Sequence, residues 1–369
     1  MWLNSCIDEY WPDVDKYENL LVVEGGITNT PGPYTIKISK SLPVKYARYI
    51  PFSGCVLKIF DDDGSSETLV ETEPGTYSTM SNGIQGQIGK RYKLSVITPQ
   101  GKEYESSYEE LIKPVLIDDV YAEVEYHSNS GLDHPQVGYQ FYIDAEETLN
   151  DTNFYLWDME ATFHFQSDFF IRWYYNGRVR EFHPIDSLYD CWRTNKVKDI
   201  FTFNSTSLVT NKLERFPLNY VNTETKELTV KYSLLVNQHT IGKSAYQYWN
   251  AIEEQNSEQG SMYSQQPYQI RGNMRSINDD NESVLGYFMV SGFDTRRIFV
   301  DRIDAPFYFT RCSINDGNYQ AYAEIGATLP YLYPVYIILY DEMRAVPGQS
   351  CADCRQNGGT ITKPDFWED

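Results

Sequence analysis

The sequence predicts an all-β protein, mainly strand with one clear helix, in which an N-terminal immunoglobulin-like β-sandwich precedes a larger β-rich domain. Three observations carry this expectation. From Leu20 to Ser107 about seven short runs are separated by turn residues every ~8–12 residues, the rhythm of a small sandwich. From Val120 to Tyr340 strand-like runs continue, longer and richer in aromatics. Only Ser244 to Glu258 places apolar residues at helical spacing.

In chain order, residues 1–19 read as a polar tether and 20–113 as the sandwich. Tyr34 to Ile38 alternates, as do Tyr92, Leu94 and Val96 with Lys93 and Ser95. Val56 to Phe60 runs into Asp61-Asp62-Asp63-Gly64, which reads as a hairpin turn rather than a calcium loop because the further ligands at alternate positions are missing. Pro114 interrupts a short charged segment between Leu111 and Asp119, and the second domain is placed at 114–369. Its expected strands are 120–126, 137–143, 154–165, 169–175, 197–203, 227–236, 287–290, 298–300 and 333–340. Leu329 to Tyr340 is the longest apolar run; Pro330 and Pro334 break it, and it reads as a buried strand too short to span a bilayer. In the helix, Ala245, Tyr248, Trp249 and Ile252 share a face, Ser244 with Gln247 suggests a capping box, and Gly260 suggests a stop.

Charge narrows the partners. With 31 basic and 52 acidic residues the chain carries −21. Such a chain repels phosphate backbones, so nucleic acid is not an expected partner. Anionic headgroups repel it too, so membrane contact calls for a lipid anchor. Leu3-Asn4-Ser5-Cys6 supplies the signal for one: leucine at −3, a small residue at −1, then the cysteine that is acylated; Asn4 fits −2 poorly. Acyl chains hold by burying methylenes at ~0.8 kcal/mol each. Only five residues precede Cys6, against the basic region and apolar run of ~7–15 residues that a leader needs.

With Cys6 lipidated, Cys55, Cys191, Cys312, Cys351 and Cys354 remain, enough for two disulfides and one thiol. Cys351-Ala352-Asp353-Cys354 is a CxxC in a Gly- and Pro-rich tail, which favours a structural staple over a redox pair. No second ligand pair makes a zinc site, and neither metal nor cofactor is expected. GxSxG, HExxH, GxxxxGK[ST] and GxGxxG are all missing, so no enzyme is expected and no catalytic residue is assigned. His164, and His183 near Asp186, read as structural histidines. Trp157, Trp173, Tyr174 and Tyr175 read as core or cross-strand pairs before they read as a sugar platform. Asp186-Ser187-Leu188 matches a short O-glycosylation pattern, which makes Ser187 a candidate.

Whole phrases then resemble a known family. They include Cys6-Ile7-Asp8-Glu9-Tyr10, Leu21-Val22-Val23-Glu24-Gly25-Gly26, Pro51-Phe52-Ser53-Gly54-Cys55-Val56, Cys191-Trp192-Arg193-Thr194, Ala245-Tyr246-Gln247-Tyr248-Trp249 and Cys351-Ala352-Asp353-Cys354-Arg355. Their order resembles a large family of Bacteroidota outer-membrane surface lipoproteins defined by a domain of unknown function and commonly encoded beside SusC-like TonB-dependent transporters. The resemblance covers about Cys6 to Trp367 and implies lipidation of Cys6, with Asp8 and Glu9 directing the product to the cell surface. It also implies that Cys191, Cys351 and Cys354 act together, Cys191 pairing with one tail cysteine. The expected function is a non-enzymatic, lipid-anchored accessory or ligand-capturing subunit of an outer-membrane β-barrel, most readily a SusC-like transporter. The alternatives are a structural subunit of a protein assembly or secretion barrel, and a surface glycan-binding protein or hydrolase.

Overall fold

The computed structural model describes residues 20–41, 49–129, 131–146, 153–208, 212–258 and 269–368. The fold is mostly β, as the alternation predicts, and the chain divides into two compact units. The first comprises Met1–Pro114 with His239–Phe293, and the second Val115–Gln238 with Asp294–Asp369.

In the first unit two sheets enclose one core. One sheet pairs Leu21–Thr28 with Thr35–Lys40, then adds Thr76–Ser78 and Val70–Glu73. The other runs Met274–Ser276, Glu103–Ser106, Arg91–Ile97, Val56–Asp61 and Ser66–Thr68. Strand alternation turns Val23, Ile27, Ile36 and Ile38 inward to meet Leu57, Ile59, Leu94 and Val96, all without solvent exposure. Each such side chain contributes about 1.5–3 kcal/mol by leaving water. The Asp61 turn is held by its own carboxylate, which accepts from the amides of Asp63 at 3.1 Å and Ser65 at 2.8 Å.

The expected domain plan needs correction here. The strand Leu285–Asp301 lies parallel to Leu21–Thr28 over Val22↔Leu285 to Thr28↔Ser291. Gly286 makes this approach possible: it sits at φ +85°, and a Cβ there would meet the Val23 carbonyl oxygen at 1.9 Å. Phe288 and Val290 complete the same core. Residues 239–293 therefore belong with 1–114, and the second domain is not the contiguous 114–369. The expected helix forms as Lys243–Glu258, but in the first unit. Ser244 lies inside its first turn, with its hydroxyl 2.8 Å from that of Tyr287 rather than ahead of the helix as a cap. Gly260 lies outside the described residues.

In the second unit, the antiparallel sheet Ile117–His127, Gln136–Ala145 and Leu213–Asn222 shares a core with Asp190–Lys196, Phe154–Gln166, the part of Lys231–Ile241 up to Gln238 and the part of Leu285–Asp301 from Asp294. Trp157 is central. It stacks on Tyr155 and Phe216, and its Nε1 donates to Gln238 Oε1 at 2.9 Å, which leaves no buried indole N–H unmet there. A smaller sheet orders Val179–Glu181, Trp173–Tyr175, Val335–Tyr340 and Met343–Ala345. The run Leu329 to Tyr340 is not one buried strand. Pro330–Leu332 forms a 3-10 turn, the strand starts at Val335, and only Ile337 and Ile338 are buried. Two short helices, Asp316–Ala323 and Gln349–Ala352, add to the one expected.

Candidate functional site

The sequence candidates settle first. Cys6 lies outside the described residues. Ser187 sits half-buried in a turn, its amide donating to the Pro184 carbonyl at 3.2 Å. The CxxC cysteines do not face each other: Cys354 is bonded to Cys191 and Cys351 to Cys312. Among the described residues Cys55 is the free thiol; it is buried, and burial pushes its pKa up. Close packing at Gly359 explains how the tail reaches Cys191, since a Cβ there would meet Cys191 Cβ at 2.6 Å. His164 Nε2 lies 2.8 Å from Asp190 Oδ1 and stacks on Trp192, while His183 pairs with Glu181 at 3.1 Å. Trp157 is in the core, Arg344 covers Trp173 at 4.3 Å, and Tyr175 packs edge-on against Tyr333. These rings are occupied internally and do not form a platform.

A site appears where no motif pointed. The strand Phe154–Gln166 ends at a cavity of about 200 Å3 in the second unit. Gln166, Ser167 and Asp168 line it. The turn between Leu213–Asn222 and Lys231–Ile241 supplies Lys226 and Thr229. The segment after Asp301 supplies Arg302, Phe309 and Arg311. Tyr189 also lines it, its hydroxyl pKa raised by burial and by the Asp190 and Asp168 carboxylates.

Hydrogen bonds fix the frame. Lys226 Nζ donates to Asp168 Oδ1 at 2.9 Å and to the Gln166 carbonyl at 3.3 Å. Asp168 Oδ2 accepts from the Cys312 amide at 3.1 Å, and the Asp168 amide donates to the Cys351 carbonyl at 2.9 Å. The Cys312–Cys351 bond thus closes a ring around Asp168. Ser167 Oγ donates to the Leu188 carbonyl at 3.1 Å and Thr229 Oγ1 to the Lys226 carbonyl at 2.7 Å, so neither hydroxyl is set up as a nucleophile.

The charges do not cancel. Asp168 matches Lys226, whereas Arg302 and Arg311 have no carboxylate within ion-pairing distance among the described residues. Arg311 lies 5.6 Å from the Phe309 ring centre and Arg302 5.3 Å from that of Phe307. Three cations less one carboxylate leave a balance of +2 in a chain of −21. Phe309 alone among the lining side chains is apolar, so the cavity suits a polar, negatively charged group. Among the described residues no group of three or more His, Cys, Asp or Glu could hold a metal. Sequence reading missed this site because its residues come from four separate segments; the one local trace is Arg302 and Arg311 bracketing Phe307 and Phe309.

No curated protein matches the chain. The family model of DUF4249, a domain of unknown function, matches residues 7–297, which includes Asp168 and Lys226 and stops short of Arg302 and Arg311. That match covers well over half of the 369 residues, and the chain belongs to the DUF4249 family.

Proposed function

We propose that this protein is a non-enzymatic surface lipoprotein that captures an anionic ligand for an outer-membrane β-barrel, a SusC-like TonB-dependent transporter in a Bacteroidota cell. The observation that carries the capture role is the pair of guanidiniums, Arg302 and Arg311, opening into one polar cavity without carboxylate partners. Both guanidiniums are exposed and solvated, and in an acidic chain two such cations attract a ligand of opposite sign locally. The anchoring half rests on Cys6 and the acidic pair Asp8 and Glu9. An acyl anchor confines the protein to the plane of its barrel and raises the effective concentration of captured ligand at the pore.

A second reading, a structural subunit of an assembly or secretion barrel, draws on one segment. Leu329, Tyr331, Leu332, Leu339, Tyr340 and Met343 are all exposed, Tyr331 by 78%. Exposed apolar residues gathered in this way favour protein contact.

One experiment separates the two. The C-terminally tagged chain is extracted from native membranes in mild detergent, as wild type and as Arg302→Gln/Arg311→Gln. Capture predicts that a transporter barrel co-purifies with both, while a small anionic ligand accompanies only the wild type. An assembly or secretion barrel, retained equally and without ligand, would establish the structural reading instead.

A further inference from the structure

The cavity also constrains the shape of its anion. A carboxylate offers two oxygens in one plane, so it receives from two guanidinium forks only where both lie close to that plane. Here two forks, Arg302 and Arg311, line one space, and the ammonium of Lys226 is already engaged by Asp168. A carboxylate would engage both forks only in that one arrangement. A phosphate or sulfate ester presents three terminal oxygens around a tetrahedral centre and can receive from both forks at once. Size sets the remainder of the ligand. A closed cavity of about 150 Å3 holds one benzene ring, so about 200 Å3 gives room for one substituted six-membered ring in a site that is also open to solvent. The polar lining favours a hydroxylated ring over an aromatic one.

We infer that the cavity binds a tetrahedral oxyanion ester, phosphate or sulfate, carried on a single sugar-sized group. Arg302 and Arg311 contact the ester, and the Lys226–Asp168 pair positions the turn and the Cys312 segment that present them. This inference rests on the capture reading above and narrows it to one ligand class.

The test is calorimetric titration of the purified chain with glucose 6-phosphate, glucose 6-sulfate, glucuronate and glucose. At least one ester binds ~10-fold or more tightly than glucuronate, and glucose is silent; the order of the two esters identifies the source. Arg302→Gln and Arg311→Gln each weaken ester binding by about tenfold or more, the usual worth of a charged hydrogen bond. Melting temperatures run alongside. Should a Gln variant fail to fold, Arg→Lys at the same position keeps the charge, loses the fork and is expected to weaken binding as well. Glucuronate binding as tightly as the esters would overturn the ester class and leave capture standing. Ester binding untouched by either arginine variant would overturn the site. Silence toward all three anions would remove the capture reading itself.

Discussion

Tyr308 shows how single residues hold the cavity in register. Its amide donates to the Thr223 carbonyl at 3.1 Å, which ties the segment bearing Phe309 and Arg311 to the turn bearing Lys226. His134 stacks on the Tyr308 ring at 3.5 Å between centres. Its Nε2 lies 2.9 Å from Glu224 Oε1 and its Nδ1 3.0 Å from Asp133 Oδ1. Those hydrogen bonds, Glu224 first, raise the His134 pKa above its ordinary value. The sign follows from linkage. A raised folded pKa means the native state binds the proton more tightly, so the contribution is full below the unfolded value of about 6.5 and fades as pH rises through the folded one. His134→Gln should therefore lower the melting temperature more at pH 6 than at pH 9. Equal losses at both pH values would show that stacking alone, without charge, holds Tyr308. This contact was not legible in the sequence, because Glu224 lies 90 residues from His134 and five scattered histidines read alike.

Among the elements, the strands were the most legible, since alternation in runs such as Arg91–Ile97 records which face is buried. The short helix Asp316–Ala323 was not. It buries no side chain and is held by the reciprocal cap of Asn315 and Asn318, so no apolar stripe marks it. The tail was half legible: its two cysteines suggested a staple, but which loop each closes depends on spatial proximity. Cys191–Cys354 spans a separation of 163 residues and Cys312–Cys351 one of 39. In the chain-entropy model the first stabilises by about 5 kcal/mol and the second by about 4. The second also frames Asp168 through the Cys312 amide and the Cys351 carbonyl. Two outcomes should therefore cross. The Cys191→Ala/Cys354→Ala pair loses more stability in urea unfolding, and the Cys312→Ala/Cys351→Ala pair loses more anion affinity. If the first pair proved the more damaging to affinity, the frame around Asp168 would not be what presents the arginines.

For the whole molecule, the order of segments along the chain and their order in space diverge. The change of texture near Pro114 was legible because a proline and a charged stretch interrupt the alternation there. The return of 239–293 to the first unit was not, because a parallel strand pair joins residues far apart in sequence and carries no turn signature between them. What it supplies is large. Phe288 and Val290 fill the sandwich core beside Val23 and Ile27, and Asn273 clasps Phe288 through both of its amide atoms at 2.8 and 2.9 Å. Without this segment Leu21–Thr28 would present an open edge and an uncovered apolar row, the usual template for aggregation. A fragment of residues 20–113 should therefore fail to unfold cooperatively in urea and should associate in solution. Co-expression with residues 239–293 should restore a single cooperative transition and a 1:1 complex by light scattering. The two readouts are independent: urea unfolding follows the core, and scattering follows the edge. A fragment 20–113 that melted cooperatively as a monomer would mean that its own two sheets close the core, and that the parallel strand is an addition to a finished sandwich rather than part of it.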